Sequence, residues 1–391
     1  MKIFFRRIHL YLGLSAGLVI LTACLTGAIL VFEKDLQMAM NKERYFVDAG
    51  ARRLPLDHMV QRVKDSFATA RINSIKIYES ATRSAEVNVS FPSKDKKPRE
   101  GGKKEQTKAA SQRQPGSTIF IDPYTGQILK KYSYQETGFY TVFKLHRWLL
   151  GTEGSVGKYI VGISTLIFLF ILLTGIILWW PKTKRILAQR VKIKWNAGWK
   201  RINHDMHLVF GFYSAIFLFI IAFTGLAWSF EWFNNGIYKL TGSPMKPAQA
   251  PRTVFVANAK SISFENAFVA AKAMAPHAAF YNITMPKDST EAFTITTLRR
   301  NAIHENATDA IYLDQYSGKF LGRLDFANRS VGAKLRATFK PVHTGSIGGV
   351  PTKILAFVVC LLGVTFPITG TVMWINRCKR KKALRSGLMK H

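Results

Sequence analysis

The chain has 391 residues, of which 48% are hydrophobic, and carries a formal net charge of +33. Its apolar residues are bunched in four long runs, which excludes a protein that is soluble throughout. The basic excess lies largely beside these runs, where it is typical of membrane flanks in contact with anionic lipid, so it does not indicate nucleic-acid binding. None of the three cysteines lies in the long polar segments, which excludes a disulfide framework.

Four runs without a charged side chain predict four transmembrane helices. A helix of about 20 residues crosses a hydrocarbon core of about 30 Å, and each run is at least that long. The runs are residues 10–32, 159–180, 208–230 and 354–375. We interpret the first as a retained helix rather than a cleaved signal peptide, because it exceeds the usual length of a signal-peptide core.

The short polar segments predict the orientation, because Lys and Arg beside a span stay on the cytoplasmic side. The N-terminus, the loop 181–201 and the tail 377–391 are basic, and the last two contain no acidic residue. We therefore expect both termini and the middle loop in the cytoplasm. The membrane is expected to be the inner membrane of a bacterium. The segments 33–158 and 231–353 are then periplasmic.

The predicted fold class is a membrane α-helical bundle of four helices, with a twofold internal repeat and two periplasmic α+β domains. Its segments are helix 1 (1–33), periplasmic domain 1 (34–140), a His-bearing juncture with helix 2 (141–180), a cytoplasmic loop (181–203), helix 3 (204–231), periplasmic domain 2 (232–335), a second His-bearing juncture with helix 4 (336–376) and a cytoplasmic tail (377–391).

Each periplasmic domain combines one helical pattern with alternating strand patterns. Residues 56–70 and 263–275 have helical periodicity, and each is followed by runs that alternate apolar and polar side chains. We expect one helix packed on a small antiparallel sheet in each domain. Residues 94–116 are charged and nearly free of apolar side chains, which predicts a disordered insertion.

The two halves of the chain repeat one another. IHLYLGLSAGLVILTACLTGAILVFEK near the start resembles MHLVFGFYSAIFLFIIAFTGLAWSFEW from Met206. Likewise IFIDPYTGQIL parallels IYLDQYSGKFL, and FKLHRWLLGTEGSVG parallels FKPVHTGSIGGV. We interpret the chain as two copies of one unit, roughly 1–190 and 200–391, related by an axis along the membrane normal.

The repeat places four histidines in two corresponding pairs. His9 corresponds to His207 at the predicted cytoplasmic helix ends, and His146 corresponds to His343 at the periplasmic ends. Two imidazoles opposed across a helical bundle are the axial ligands of a six-coordinate haem. We therefore expect two haem b, bound non-covalently because the chain has no C-x-x-C-H motif. His204 precedes His207 by three residues on the same face and stays an alternative ligand or supporting residue.

Glycines accompany the paired histidines. Gly13 and Gly211 follow His9 and His207 by one helical turn, which leaves room for a flat macrocycle. Each predicted span also contains a Thr-Gly pair, which we expect to line the haem. These four glycines are Gly27, Gly175, Gly225 and Gly370. Small residues at such spacing are also typical of close helix packing alone, and that alternative stays open.

Arg147 follows His146 directly and is expected to pair a haem propionate, because a guanidinium fork matches a carboxylate. Zinc or copper is a weaker interpretation of the histidine pairs, since two imidazoles under-fill a tetrahedral site.

The H-x-x-x-G and Thr-Gly helices, the D-P-Y-T-G-Q and D-Q-Y-S-G-K turns and the doubled arrangement resemble the PepSY-associated transmembrane family over nearly the whole chain. The resemblance implies a transmembrane oxidoreductase similar to ferric-siderophore reductases of the ferrioxamine type, with PepSY-like domains outside the membrane. By the same resemblance, one haem lies on each side of the membrane, held by the two histidine pairs. The implied substrate is a periplasmic ferric siderophore or other iron chelate, and the electron donor is left unidentified.

Two other functions stay open at this point. The chain is alternatively a membrane-anchored binding or regulatory module without redox activity, which predicts a colourless protein. It is alternatively a component of an iron-chelate permease, although the spans carry no carboxylate of the kind that marks ion-coupled transport.

Overall fold

The computed structural model describes residues 1–92, 116–245 and 249–385. The predicted disordered insertion 94–116 lies outside the described residues except for its last residue. The chain divides into two compact units. The helical unit contains Met1–Lys34, Gly138–Met245 and the described part of Val331–His391, and the sheet unit contains the described parts of Asp35–Thr137 and Lys246–Ser330.

The described residues form twelve α-helices and eight β-strands. The helices are α1 (Lys2–Val31), α2 (Glu33–Met40), α3 (Lys42–Tyr45), α4 (Leu56–Ser66), α5 (Gly138–Trp148), α6 (Val156–Trp179), α7 (Lys184–Arg190), α8 (Trp199–Ser229), α9 (Glu231–Leu240), α10 (Phe264–Met274), α11 (Val331–His343) and α12 (Val350–Arg385). The strands are β1 (Arg71–Tyr78), β2 (Ala85–Ser90), β3 (Ser117–Ile121), β4 (Ile128–Tyr132), β5 (Ala278–Thr284), β6 (Phe293–Arg299), β7 (Thr308–Leu313) and β8 (Phe320–Leu324).

The four predicted spans are confirmed as helices long and apolar enough to cross a membrane. They are α1, α6, α8 and residues 350–384 of α12. Each continues beyond its uncharged run into a flank, as α8 does through Lys200 and Arg201. Long basic side chains tolerate that position because the alkyl part can stay on the apolar surface while the charge reaches the headgroups.

The four long helices pack in a ring, in which α1 and α8 each contact both α6 and α12. The interior of the ring contains small and branched apolar side chains, among them Ala16, Leu218 and Leu226. The outward faces are also apolar, and several large side chains there are more than half exposed. These include Leu18, Phe170, Ile216 and Ile368. Exposed apolar surface of this extent is expected on a protein that lipid surrounds.

Two shorter helices pack against the long helices. Helix α5 packs against α1 and α6, and α11 packs against α8 and α9. The predicted start of the second periplasmic domain at residue 232 stays a prediction, and helix α9 groups with the helical unit. The reason is that α9 is amphipathic and buries Ile237 against Ala227 and Phe339.

The sheet unit contains one antiparallel sheet of eight strands in the order β4-β3-β2-β1-β5-β6-β7-β8. Two small sheets were expected from the sequence, and the structure joins them through β1 and β5. At this seam Ile75 lies opposite Ile283, and both side chains are fully buried. Joining the two edges satisfies backbone groups that two separate sheets would leave unpaired.

Helices α4 and α10 contribute to the same core as the strands. Met59 and Val63 of α4 and Ala267 and Ala271 of α10 are completely buried with the inward side chains of the sheet. Strand β2 alternates strictly between buried and partly exposed side chains. This alternation places one face of the strand in the core.

Helices α4 and α10 cap one another. The Asp57 carboxylate of α4 accepts hydrogen bonds from the backbone N–H groups of Phe264 and Glu265, both at 3.0 Å. In return the Glu265 carboxylate accepts a hydrogen bond of 2.8 Å from the Leu56 backbone N–H. Each carboxylate thus satisfies orphan donors at the start of the other helix and opposes its dipole.

Two similar turns of the sheet unit have the same local chemistry. The carboxylate of Asp122 accepts hydrogen bonds from two backbone N–H groups of its turn, and Asp314 does the same in the second turn. Gly126 and Gly318 adopt φ of 73° and 69°, a conformation that favours glycine. The turns lead into β4 and β8, which the sequence did not predict because these edge strands lack apolar alternation.

Candidate functional site

The structure brings the sequence-predicted histidine pairs together. The ring centroids of His9 on α1 and His207 on α8 are 6.4 Å apart, with an angle of 83° between the ring planes. The ring centroids of His146 on α5 and His343 on α11 are 6.2 Å apart, with an angle of 61°. Each pair therefore joins one imidazole from the first half of the chain with one from the second half.

These separations fit two imidazoles that share one metal ion. A metal–nitrogen bond of about 2.0 Å and a nitrogen-to-centroid distance of about 1.1 Å, from ring bonds near 1.33 Å, place two opposed centroids about 6 Å apart. Among the described residues no group of three or more His, Cys, Asp or Glu side chains converges on a metal site. A ligand set of two imidazoles suits an ion whose other ligands come from a macrocycle.

A threonine lies beside every paired histidine. Nδ1 of His9 is 3.0 Å from the Thr174 hydroxyl, and Nδ1 of His207 is 2.7 Å from the Thr369 hydroxyl. The same contact is made by His146 with Thr26 at 3.0 Å and by His343 with Thr224 at 3.3 Å. These are the threonines of the four Thr-Gly pairs, and their contact with the histidines was not predicted from the sequence.

The threonine contacts define which ring nitrogen carries the proton. Each hydroxyl donates to a carbonyl of its own helix, as Thr369 does to Thr365 at 2.8 Å, so toward the imidazole it can only accept. Three of the histidines also have Nδ1 within 3.1 Å of a backbone carbonyl. Nδ1 must therefore be the donor, which leaves the Nε2 lone pair available to a metal.

The second ring nitrogen, Nε2, differs from Nδ1 in its surroundings. Among the described residues no hydrogen bond involves Nε2 of the four paired histidines. Outside the spans, burial lowers the pKa of His146 to about 4, and the nearby His343 and Arg147 act in the same direction. Burial also lowers the pKa of His343. Both rings are thus neutral at physiological pH, which is the form that coordinates a metal.

The glycines of the Thr-Gly pairs lie close to the paired histidines. A Cβ at Gly27 or Gly175 would lie 3.3 Å from Cε1 of His146 or His9, respectively. Cε1 of His343 and of His207 would lie 3.1 Å and 3.5 Å from a Cβ at Gly225 and Gly370. These glycines therefore lie against the edges of the paired imidazoles, and the expectation that they also line a haem stays a prediction.

Gly13 and Gly211 lie in open surroundings. A Cβ built on either glycine would meet no atom within 4 Å. Because each glycine follows its histidine by one helical turn, the open space lies on the face that carries His9 and His207. This space agrees with the expectation that a flat group lies there, and binding of such a group stays a prediction.

His204 is not part of a pair. Its side chain is 49% exposed, and Nδ1 is 3.3 Å from a carboxylate oxygen of Asp205. Asp205 is buried and forms a salt bridge with Arg201 at 2.8 Å. His207, not His204, faces His9, so the structure favours His207 of the two candidates and gives His204 a place in a polar cluster beside the pair.

Arg147 contacts the His146–His343 pair through a tryptophan. Its Nη2 donates to the backbone carbonyl of Trp228 at 3.2 Å, and the Trp228 ring lies 5.4 Å from the His343 ring. The guanidinium of Arg336 lies 4.8 Å from the Trp228 ring centroid. Arg336 was missed in the sequence because the corresponding position of the first half is Tyr140.

The two pairs lie near opposite ends of the same helices. Seventeen residues separate His9 from Thr26, which contacts His146, and the same number separates His207 from Thr224, which contacts His343. At 1.5 Å per residue this is about 25 Å of helix rise, close to the thickness of a hydrocarbon core.

Comparison with curated proteins finds no match. A family of membrane proteins does match, and the match covers residues 6–377, which include both histidine pairs and the whole sheet unit. The chain therefore belongs to the family described as the PepSY-associated TM region.

Proposed function

We propose that this protein is a transmembrane electron carrier that holds two b-type haems and delivers electrons to a ferric chelate outside the membrane. The observation that carries the proposal is the opposition of two imidazole pairs at 6.4 and 6.2 Å, with every Nδ1 held as a donor. Because the porphyrin supplies four nitrogens, two such imidazoles complete a six-coordinate iron.

The protein's own groups prepare each pair for this role. The Thr hydroxyls and backbone carbonyls orient the imidazoles and raise their basicity through the Nδ1–H bond. Gly225 and its three counterparts let each ring approach its neighbouring helix closely. Haem iron held in this way supplies reversible one-electron chemistry.

The direction of electron flow follows from the orientation that we infer. The basic N-terminus, the loop 181–201 and the tail 377–391 belong on the cytoplasmic side by the positive-inside rule. His9 and His207 are then the inner pair, and His146 and His343 are the outer pair. The two sheet halves correspond to the PepSY-like repeats and face the periplasm.

The acceptor is inferred from the family resemblance. Oxyanion chelators bind Fe(III) more tightly than Fe(II), because binding of hard oxygen ligands weakens with lower charge. Transfer of one electron from the protein to Fe(III) therefore releases iron from the chelate. The electron that leaves the protein is replaced from a donor on the cytoplasmic side.

Visible spectroscopy of the detergent-purified full-length chain tests the proposal. We expect two low-spin haem b per chain by pyridine haemochrome quantitation. The variant His343→Ala should retain one of them, because the His9–His207 pair is untouched. His277→Ala is the matched control, since His277 is exposed in the sheet unit, and it should retain both. A colourless wild-type chain from haem-sufficient cells would contradict the proposal and favour a binding module.

Reduction of iron is tested separately. Wild-type protein reduced with a limiting amount of dithionite should be reoxidised by a ferric hydroxamate, with one Fe(II) formed per haem oxidised. A ferrous-specific chromogenic chelator measures the product. If the haems stay reduced after ferric chelates are added, the proposed acceptor is wrong. The protein would then carry electrons to a different acceptor.

A further inference from the structure

Two arginines of the helical unit converge on one tryptophan. Arg147 donates from Nη2 to the backbone carbonyl of Trp228 at 3.2 Å, and the Arg336 guanidinium lies 4.8 Å from the Trp228 ring centroid. The Trp228 ring is itself 5.4 Å from the His343 ring. Two positive charges therefore meet beside the His146–His343 pair.

Among the described residues these two charges have no carboxylate within salt-bridge distance, and Glu153 acts on Arg147 only at longer range. Neither arginine forms a salt bridge within the part of the chain that the structure describes. Burial lowers the pKa of Arg147, Glu153 raises it and Arg336 lowers it further. Burial also lowers the pKa of Arg336. Like charges that are partly buried together repel each other, and an anion between them would remove that repulsion.

Most of the hydrogen-bond donors of Arg147 and Arg336 are unused among the described residues. A guanidinium has five N–H donors. Apart from the bond to Trp228, Arg147 makes no other hydrogen bond to described residues, and Arg336 makes one, from Nε to the Asn234 side chain at 2.6 Å. The indole Nε1 of Trp148, whose ring centroid is 5.4 Å from the Arg147 guanidinium, is also buried without a partner.

The internal repeat does not account for this arrangement. In the parallel segments FKLHR and FKPVHT, Arg147 corresponds to Thr344, and Arg336 corresponds to Tyr140. Each half of the chain therefore contributes one arginine at a position where the other half has none. A pair assembled from non-equivalent positions is not a by-product of packing two copies of the same surface.

We propose that Arg147 and Arg336 form a carboxylate-binding site beside His343. Guanidinium forks bind carboxylates through paired, charge-assisted hydrogen bonds, which matches the unused donors of both side chains. Two sources supply such carboxylates at this position. One is the propionates of a haem held by His146 and His343, which rests on the proposed function, and the other is a carboxylate of a soluble ferric chelate.

The first arm of the test compares two ligands that differ only in their carboxylates. Apo-protein of the full chain is titrated with protohaem and with protohaem dimethyl ester, which lacks both carboxylates. If propionates occupy the site, one of the two haem sites should bind the ester on the order of tenfold to a hundredfold more weakly than protohaem. The variant Arg336→Gln should lose affinity for protohaem by a similar factor and bind the ester as the wild type does.

The second arm measures equilibrium binding of radiolabelled ferric citrate to the same full-length protein. If a soluble chelate occupies the site, Arg147→Gln and Arg336→Gln should each weaken citrate binding at least tenfold, and protohaem should bind both variants normally. Lys340→Gln is the matched control, because Lys340 is an exposed cation on the same helix as Arg336. It should change neither affinity.

The outcomes separate this site from the haem proposal. If the wild type binds no haem, the proposed function fails, and the citrate arm still decides whether the arginines bind carboxylates. If protohaem and its ester bind equally and the arginine variants bind citrate as the wild type does, the carboxylate site is overturned. Arg336→Lys covers the case in which Arg336→Gln misfolds, since it retains the charge and should retain part of the affinity.

Discussion

The sheet unit and the helical unit each bring a segment from the first half of the chain against one from the second half. The contacts along these two seams differ. In the sheet unit β1 and β5 satisfy each other's backbone groups, and Asp57 and Glu265 cap each other's helices. In the helical unit the segments end in opposed imidazoles whose Nε2 atoms have no partner among the described residues. The first seam is complete as protein, and the second leaves ring nitrogens for the ligand that we propose.

The largest effect is expected from a variant that fills the space beside Gly211 and leaves the fold intact. Gly211→Val adds a side chain where the protein offers no atom within 4 Å of Cβ, so the bundle should tolerate it. A haem at the His9–His207 pair should not, and we expect loss of one of two haems by pyridine haemochrome assay. Gly236→Val, also in open surroundings, is the control. Full haem content in Gly211→Val would show that no macrocycle lies on that face.

The closed seam should respond to loss of packing alone. Ile283→Ala removes a fully buried side chain opposite Ile75, and the cavity should cost about 2–5 kcal/mol in the free energy of unfolding. Faster hydrogen exchange of the β1 and β5 amides would measure the loss. Ile303→Ala is the control, because Ile303 is 71% exposed. Unchanged exchange in Ile283→Ala would mean that the seam is not held by this core.

The two open pairs can be compared through their threonines. His207 has only the Thr369 hydroxyl at Nδ1, whereas His343 also has the Ile221 carbonyl at 2.8 Å. Thr369→Val should therefore weaken haem binding about 10- to 100-fold, and Thr224→Val should weaken it much less. Haem titration of the two apo-variants gives the affinities. Equal losses would contradict the assignment of Nδ1 as the donor in both pairs.

The mutual caps should give the smallest effect. Asp57→Asn removes the charge that faces the start of α10 and should lower the free energy of unfolding of the sheet unit by about 1–2 kcal/mol. Chemical denaturation, monitored through hydrogen exchange of the α10 amides, measures this loss in the free energy of unfolding. Asp65→Asn changes an exposed carboxylate of the same helix and should have almost no effect. Similar losses in both variants would show that net charge, not capping, is responsible.

The sequence predicted those features that depend on local patterns. Uncharged runs of sufficient length identified the spans, and the repeat identified which histidines face each other. It did not predict the union of the two sheets, because strand alternation says which face of β1 is buried but not which strand pairs with its edge. It also did not predict that the glycines of the Thr-Gly pairs receive the edge of an imidazole, since a sequence does not distinguish that space from space for a macrocycle.

Arg336 was not predicted from the sequence, for a related reason. Arg147 stood next to a predicted ligand, whereas Arg336 precedes His343 by seven residues and has no counterpart in the first half. Only the packing of α11 against α8 brings it to Trp228. Contacts that depend on the angle between helices are invisible to periodicity.

The β1–β5 seam has a consequence for biosynthesis. Ile75 and Ile283 are more than 200 positions apart, and α6 and α8 lie between them in the chain. The edge of β1 must therefore stay unpaired while two further membrane segments are made and inserted. During that interval an exposed strand edge is open to wrong partners, so slow translation or a chaperone that shields the edge should affect the yield of this protein.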